Sequence, residues 1–216
     1  MTASTFSSEQ ADFLAELMAA RRDVRGNRFK QSPIPQSAID QIMESAAVAP
    51  SVGFSQPWEF VVVNDLTTRK KVVESYQRVN DIAKTQFEGE KSELYARLKL
   101  EGILESPLNI AAFYRPSKLP VLGQTSMDEV GRYSVVCAIQ NMWLMARALN
   151  IGMGWVSILE PDSVKSILNA PDDAELIGYL CFGYVDQFLE QPELEKLNWE
   201  KRKAIKDCIF VDKYPS

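Results

Sequence analysis

Apolar residues recur at helical spacing early in the chain, where Phe13, Leu14, Leu17 and Met18 form one stripe. Ser7-Ser8-Glu9-Gln10 precedes them as a capping box, with Ser7 placed to cap and Gln10 to reciprocate. This first helix ends at the basic run Arg21-Arg22-Asp23-Val24-Arg25. Gly26 to Pro35 carries Gly, Asn, Ser and prolines and reads as a loop. Ile39, Ile42, Met43 and Ala46 mark a second amphipathic helix. Pro50 to Pro57 is too rich in breakers to be regular and reads as an ordered loop, directly before a β-branched strand at Phe60-Val61-Val62-Val63.

Residues 67–106 are mostly charged and polar at helical spacing, with few large apolar positions. They predict one or two surface helices outside the core. Leu108 to Tyr114 reads as a second strand, and Arg115 to Gln124 as a prolyl, basic loop. Tyr133 to Leu149 is apolar nearly all round, which predicts a central buried helix. Gly152 and Gly154 give a tight turn into a short strand at Trp155–Ile158, and a helix with a polar start follows from Pro161 to Leu168. Leu176 to Tyr184 reads as a long, central strand. The arm from Gln187 onward is long and polar, with Trp199 and a last strand at Cys208-Ile209-Phe210-Val211, and is expected to embrace a partner.

Strands and helices interleave without a recurring strand–turn–helix unit. No G-x-G-x-x-G and no P-loop occurs, so neither a Rossmann nor a Walker site is supported. The pattern predicts one α+β domain, 1–216, built on a mixed sheet flanked by helices. At 216 residues such a domain buries roughly 70% of its unfolded surface.

Charge and composition narrow the chemistry. A net charge of −5 makes nucleic acid an unlikely general partner, so a basic cluster in this chain reads as a pocket for a small anion. Histidine is absent, which removes His-containing metal sites and Ser-His or Cys-His nucleophilic pairs. Cys137, Cys181 and Cys208 are widely spaced in apolar stretches and read as reduced, buried thiols. No basic leader precedes an apolar run, and no apolar stretch of about 18 residues occurs, so no membrane association is expected and the cytoplasm is the expected location.

Three constellations remain. Arg21, Arg22 and Arg25 either form a solvated helix end stabilised by the helix dipole or face an anion, for which their planar forks suit a phosphate. Arg202, between Lys201 and Lys203, could converge on the same anion. Ser51 to Gln56 and Gly152 to Ser157 are either plain connecting turns or places where the backbone meets a flat ligand closely, with Gly53 permitting the approach. Asp23, between Arg22 and Arg25, is either their salt-bridge partner or a poised acid, and the adjacent cations predict a lowered pKa. From the residues alone, an anionic small-molecule ligand is as far as this reaches.

The arginine run, Ala49-Pro50-Ser51 with Gln56-Pro57-Trp58, and Ala138 to Leu144 leading to Gly152-Met153-Gly154-Trp155 together resemble the nitroreductase family. Arg-Arg-Asp-Val-Arg, Pro50 to Trp58, Leu98 to Ile103 and Gly154 to Ile158 are similar to its flavin-destroying branch, the 5,6-dimethylbenzimidazole synthases. The resemblance runs from about Phe6 to Val211. It implies a homodimer with FMN at the subunit interface and a helical lid at about 76–106, completed by a C-terminal arm at about 187–216. Carried over by residue, Arg21, Arg22 and Arg25 hold the phosphate, ribityl chain and ring edge within the run that includes Val24, and Arg202 adds to the phosphate site. Ser51 reaches the flavin from the partner's loop, Leu100 lies beside it under the lid, and the Gly53 N–H faces the reactive edge of the ring.

The implied reaction consumes its flavin. Reduced FMN and O2 give 5,6-dimethylbenzimidazole, the lower ligand of cobalamin, and erythrose 4-phosphate. Asp23 would act as base or proton relay and Ser157 would orient the flavin. An acid at Asp23 is the sharpest discriminator, since a serine is common there in the wider family. A separate flavin reductase is the simpler source of reduced FMN. The other readings are an NAD(P)H-dependent nitroreductase or flavin reductase that recycles its flavin, and a non-catalytic flavin-binding module. Glu200, close before Arg202, departs from the family pattern by placing an acid near the phosphate site.

Overall fold

The computed structural model describes residues 5–214. Residues 1–4 and 215–216, at the ends of the expected domain and arm, lie outside the described residues. Helix α1 (Ser8–Ala20) begins with the reciprocal cap read from its sequence: Ser7 Oγ accepts from the Gln10 N–H at 3.3 Å, and Gln10 Oε1 accepts from the Ser7 N–H at 2.9 Å. It buries no residue completely, and Phe13, Leu14 and Met18 remain exposed.

Four antiparallel strands form the sheet in the order β1-β2-β4-β3, comprising β1 (Trp58–Val62), β2 (Leu108–Tyr114), β3 (Ile151–Val156) and β4 (Glu175–Tyr184). The long apolar run of β4 earns an interior place because both of its edges are paired. A parallel component enters through one bridge, Asp23 to Met153.

β2 is buried along its whole length, and its alternation divides the core. Leu108, Ile110, Ala112 and Tyr114 face the packed pair α2 (Gln36–Ala47) and α5 (Val130–Ala148), against Ile42, Ala46, Val135, Ile139 and Met142. Ala111 and Phe113 face the opposite layer, with Val72 and Tyr76 of α3 (Leu66–Lys84) and Val164 of α6 (Pro161–Ile167).

The stretch 67–106 therefore contributes more to the core than its composition predicts. The first half of α3 is a core element, and its buried Arg69 joins three chain segments. Nε donates to Val63 O at 2.7 Å, Nη1 to Ser106 O at 2.9 Å and Nη2 to Pro107 O at 3.1 Å. Such bonds compensate the burial of a guanidinium. The more exposed part of this stretch is α4 (Gly89–Arg97), which packs back on the end of α3 where Tyr95 Oη donates to Asn80 Oδ1 at 2.9 Å.

Two further expectations are corrected. α5 is not buried all round, because Tyr133 and Val136 lie on an exposed face of the single subunit. Cys208 to Val211 forms no strand; a 3-10 turn at Ile205–Cys208 leads into bends, and Cys208 is exposed, unlike buried Cys181. A strand requires a ladder partner, and residues 200–214 are exposed throughout and pack on nothing that could supply one. No helix among the described residues is long and apolar enough to cross a membrane.

Candidate active site

α1 stops at Ala20 because Arg21 turns extended, at φ −64° and ψ 135°. The carbonyls orphaned there are taken up by α5 and by the arginines themselves. Arg147 Nε donates to Ala20 O at 3.2 Å, and Trp143 Nε1 donates to Arg22 O at 3.1 Å. Arg22 Nη1 donates to Ala19 O at 2.6 Å and Arg21 O at 2.7 Å, and its Nη2 donates to Glu190 O. The guanidinium of Arg21 lies 4.6 Å above the Trp143 ring. Capping of a helix end thus accounts for part of the cluster.

It does not account for all of it. Arg22 Nε is buried without a hydrogen-bond partner among the described residues. Burial, followed by the neighbouring charges of Arg21, Arg202 and Arg147, holds the Arg22 pKa below its ordinary value. Four guanidiniums crowded in this way repel one another, and an anion between them relieves that repulsion.

Asp23 stands on the same wall. Trp155 N–H donates to its Oδ1 at 3.2 Å, and Arg25 pairs with its Oδ2. Arg25 also donates from Nη1 to Leu100 O at 2.8 Å, tying the acid to the segment after α4. Asp23 was expected to have a lowered pKa. The direction is the reverse: burial raises it above the usual carboxylate range, against the opposing pull of Arg25 and the Trp155 N–H. The sequence shows the adjacent cations but not the protein packed around the carboxyl group, which keeps 30% side-chain exposure. A carboxyl group with its pKa raised by burial beside a cavity is a candidate for proton transfer.

These residues surround a cavity of about 490 Å³. Arg21, Arg22, Asp23, Arg25, Leu100 and Arg202 all line it, so the structure brings together both basic clusters and the expected ring neighbour. Val24 is buried beside them, with its N–H donating to Met153 O at 3.0 Å; it fixes the segment and does not line the cavity. Ser157 follows β3, exposed and outside the lining. Its neighbour Trp155 holds Asp23, so the two share a strand end.

Ser51 and Gly53 lie elsewhere. Their loop is held by Ser134, whose Oγ accepts from the Val52 N–H at 3.1 Å, and Ser51 Oγ accepts from the Gln56 N–H at 3.0 Å. Gly53, Phe54 and Gln56 all adopt left-handed φ, at 53°, 54° and 48°, which glycine takes freely but which strains the backbone at Phe54 and Gln56. A Cβ on Gly53 would stand 2.7 Å from Leu122 O. Ser134 and Arg147 are about 20 Å apart along α5, so the loop and the arginines occupy opposite ends of that helix. Within the chain the predicted residues fall into two separate groups.

A model described as "Nitroreductase family" matches residues 18–184. The chain belongs to the nitroreductase family. It is 41% identical over 204 residues to the 5,6-dimethylbenzimidazole synthase of Rhodospirillum rubrum, covering 94% of this chain and 96% of that one. It is 36% identical to the enzyme of the same name from Rhodobacter capsulatus, covering 91% and 95%. Oxidized iodotyrosine deiodinase bound to FMN and 3-iodo-L-tyrosine has the same fold, with a TM-score of 0.72 at 21% identity, covering 93% of this chain and all of that one.

Glu193, Trp143 and Arg147 stand around this cavity although the sequence reading gave them no site role. Glu193 lines it, pairs with Arg28 at 2.8 Å and pushes the Asp23 pKa further upward. Trp143 and Arg147, one turn apart on α5, support the arginine run. Their spacing was visible in the sequence, but the helix end they face was not.

Proposed function

We propose that this chain is a 5,6-dimethylbenzimidazole synthase, converting reduced FMN and O2 to 5,6-dimethylbenzimidazole and erythrose 4-phosphate. One observation carries the reading: a half-buried acid, Asp23, stands among Arg21, Arg22, Arg25 and Arg202 on one cavity wall, in a chain 41% identical to an enzyme of that name.

The donor set fits FMN. Arg22 Nε lacks a partner, and the crowded guanidiniums match a phosphate dianion in charge and fork geometry. Arg21, Arg22 and Arg202 hold the phosphate, and Arg25 with Leu100 borders the ribityl chain and ring. When bound, reduced FMN supplies both the electrons and the carbon skeleton of the product. Asp23 takes or relays the proton, its carboxyl group held by the Trp155 N–H on Oδ1 and by Arg25 on Oδ2. Ser157 orients the ring from the same strand end. The segment from Tyr76 to Ser106 shields the site from water.

Two copies complete the site. Ser51 and the Gly53 N–H of the partner's loop meet the flavin held by the first copy's arginines, which is why the half-sites stand at opposite ends of α5. The enzyme works in the cytoplasm with a separate flavin reductase that supplies reduced FMN.

The test is anaerobic loading of the full-length protein with reduced FMN, admission of air, and a search for 5,6-dimethylbenzimidazole by mass. Its appearance with stoichiometric loss of flavin is the expected result. Recovery of intact oxidised FMN, with no benzimidazole, sinks the proposal in favour of a flavin-recycling reductase.

A further inference from the structure

Helix α7 (Glu193–Lys196) is a single turn, yet its end is specified closely. Asn198 adopts a left-handed φ of 56°, its N–H donates to Glu195 O at 3.1 Å, and the Trp199 N–H donates to Leu194 O at 2.8 Å. This paired closure is a Schellman motif, which fixes the direction in which the chain leaves a helix. Glu193, Leu194 and Glu195 line the arginine cavity, so the motif turns the chain away from that wall and onto the lid.

Trp199 meets the lid in an aromatic cluster. Its ring lies edge-on to Phe87, with centroids 5.0 Å apart at 76°, and 6.1 Å from Tyr95. Phe87 stacks on Tyr95 at 5.0 Å, and Lys91 Nζ stands 5.4 Å from the indole centroid. Tyr95 is buried and bonded to Asn80, so the platform belongs to the packed junction of α3 and α4. Beyond Trp199 all described residues are exposed, yet Arg202 returns to the cavity and contributes positive charge beside Arg22. Trp199 is thus the last packed residue before that arginine.

We propose that Trp199 is a positioning residue that latches the C-terminal arm to the lid and thereby places Arg202 against the phosphate of the bound flavin. This rests on the FMN reading above and goes beyond it: lid order and phosphate recognition become one event. A flavin lacking the phosphate gains nothing from the latch, because Arg202 then has no anion to meet.

The experiment compares binding of oxidised FMN and of riboflavin, its phosphate-free counterpart, to the full-length protein by flavin fluorescence. Trp199→Ala weakens FMN binding about tenfold, a loss in keeping with aromatic pairs, and leaves riboflavin binding unchanged. Trp199→Phe restores most of the FMN affinity. Phe87→Leu, which removes the other ring but keeps the site apolar, reproduces the same selective loss. Arg202→Ala also weakens FMN alone, and the Trp199→Ala/Arg202→Ala double variant is no weaker than Arg202→Ala, because the two residues act in series.

Equal weakening of FMN and riboflavin by Trp199→Ala, or additive effects in the double variant, overturns the latch. Unchanged FMN binding in Arg202→Ala also overturns it, while the flavin site itself stands. Wild-type protein that binds neither flavin overturns the FMN reading and the latch together.

Discussion

Trp155 donates its backbone N–H to Asp23 Oδ1 at 3.2 Å, so strand β3 and not only the arginine cluster holds the acid. The bridge from Asp23 to Met153 and the Val24 N–H bond to Met153 O continue the same attachment. Asp23 is therefore anchored on one oxygen and on its backbone, leaving the other oxygen to Arg25 and the cavity.

Asp23→Asn keeps an acceptor for Trp155 and removes the ionisable carboxylate. The variant folds and binds FMN, while benzimidazole formation falls by about 10²- to 10⁴-fold, the usual range for losing a general acid or base. Product quantified by mass after a single aerobic turnover checks this. Retention of wild-type yield would remove Asp23 from the chemistry.

The pH dependence follows from the direction of the Asp23 shift. Burial raises its pKa in the folded protein above the unfolded value, so the ionised carboxylate opposes folding at neutral pH. That cost disappears as pH falls through the raised pKa. A base must be ionised, so the rate falls over the same window, and activity declines where this residue's burden on stability is relieved. Rate profiles and melting curves of wild type and Asp23→Asn between mildly acidic and neutral pH check both: the variant lacks the acid limb, and its stability difference from wild type narrows as pH falls.

Much of the fold was legible because its elements are locally specified. The Ser7–Gln10 cap, the α2 stripe around Ile42 and the apolar runs of β2 and β4 each announce themselves within about ten residues. The arginine run was legible as a charge anomaly in an acidic chain. What escaped depends on distant packing. The raised pKa of Asp23 comes from protein surrounding its carboxyl group, Glu193 reaches the cavity from a far segment, and Arg69 is buried although its neighbours in sequence are polar. Cys208 to Val211 has strand composition, but composition cannot supply the second strand.

Gly154 permits the approach that attaches Asp23 to the sheet, because a Cβ there would run into Val24 O. Gly154→Ala pushes the Asp23–Val24 segment off β3, costing about 1–3 kcal/mol and weakening FMN binding. Chemical denaturation and flavin titration measure the two effects. An unchanged protein would mean that this contact does not set the position of Asp23.

Arg69 satisfies three carbonyls from within the core. Arg69→Met fills much of the same volume but leaves Val63, Ser106 and Pro107 without their donor, an expected loss of about 3 kcal/mol or more. Because Arg69 does not line the cavity, FMN affinity of the folded variant stays near wild type. Denaturant melts and flavin titration at low temperature separate the two outcomes.

The exposed face of α5 makes the last prediction. Tyr133 and Val136 lie one turn apart on it, 53% and 40% exposed, and Phe13, Leu14 and Met18 of α1 and Phe54 of the strained loop are open to solvent as well. Apolar surface of this extent calls for a cover, and in the proposed two-copy arrangement a second copy would bring its Ser51–Gly53 loop to the arginine end of the first. Val136→Arg places a charge in that face without touching the core residues of α5. The variant sediments as a monomer with native secondary structure, and FMN binding falls at least tenfold although every arginine is intact, because the partner's half-site is gone. Tight flavin binding by the monomer would show that one chain holds the complete site, and the two-copy arrangement would be discarded.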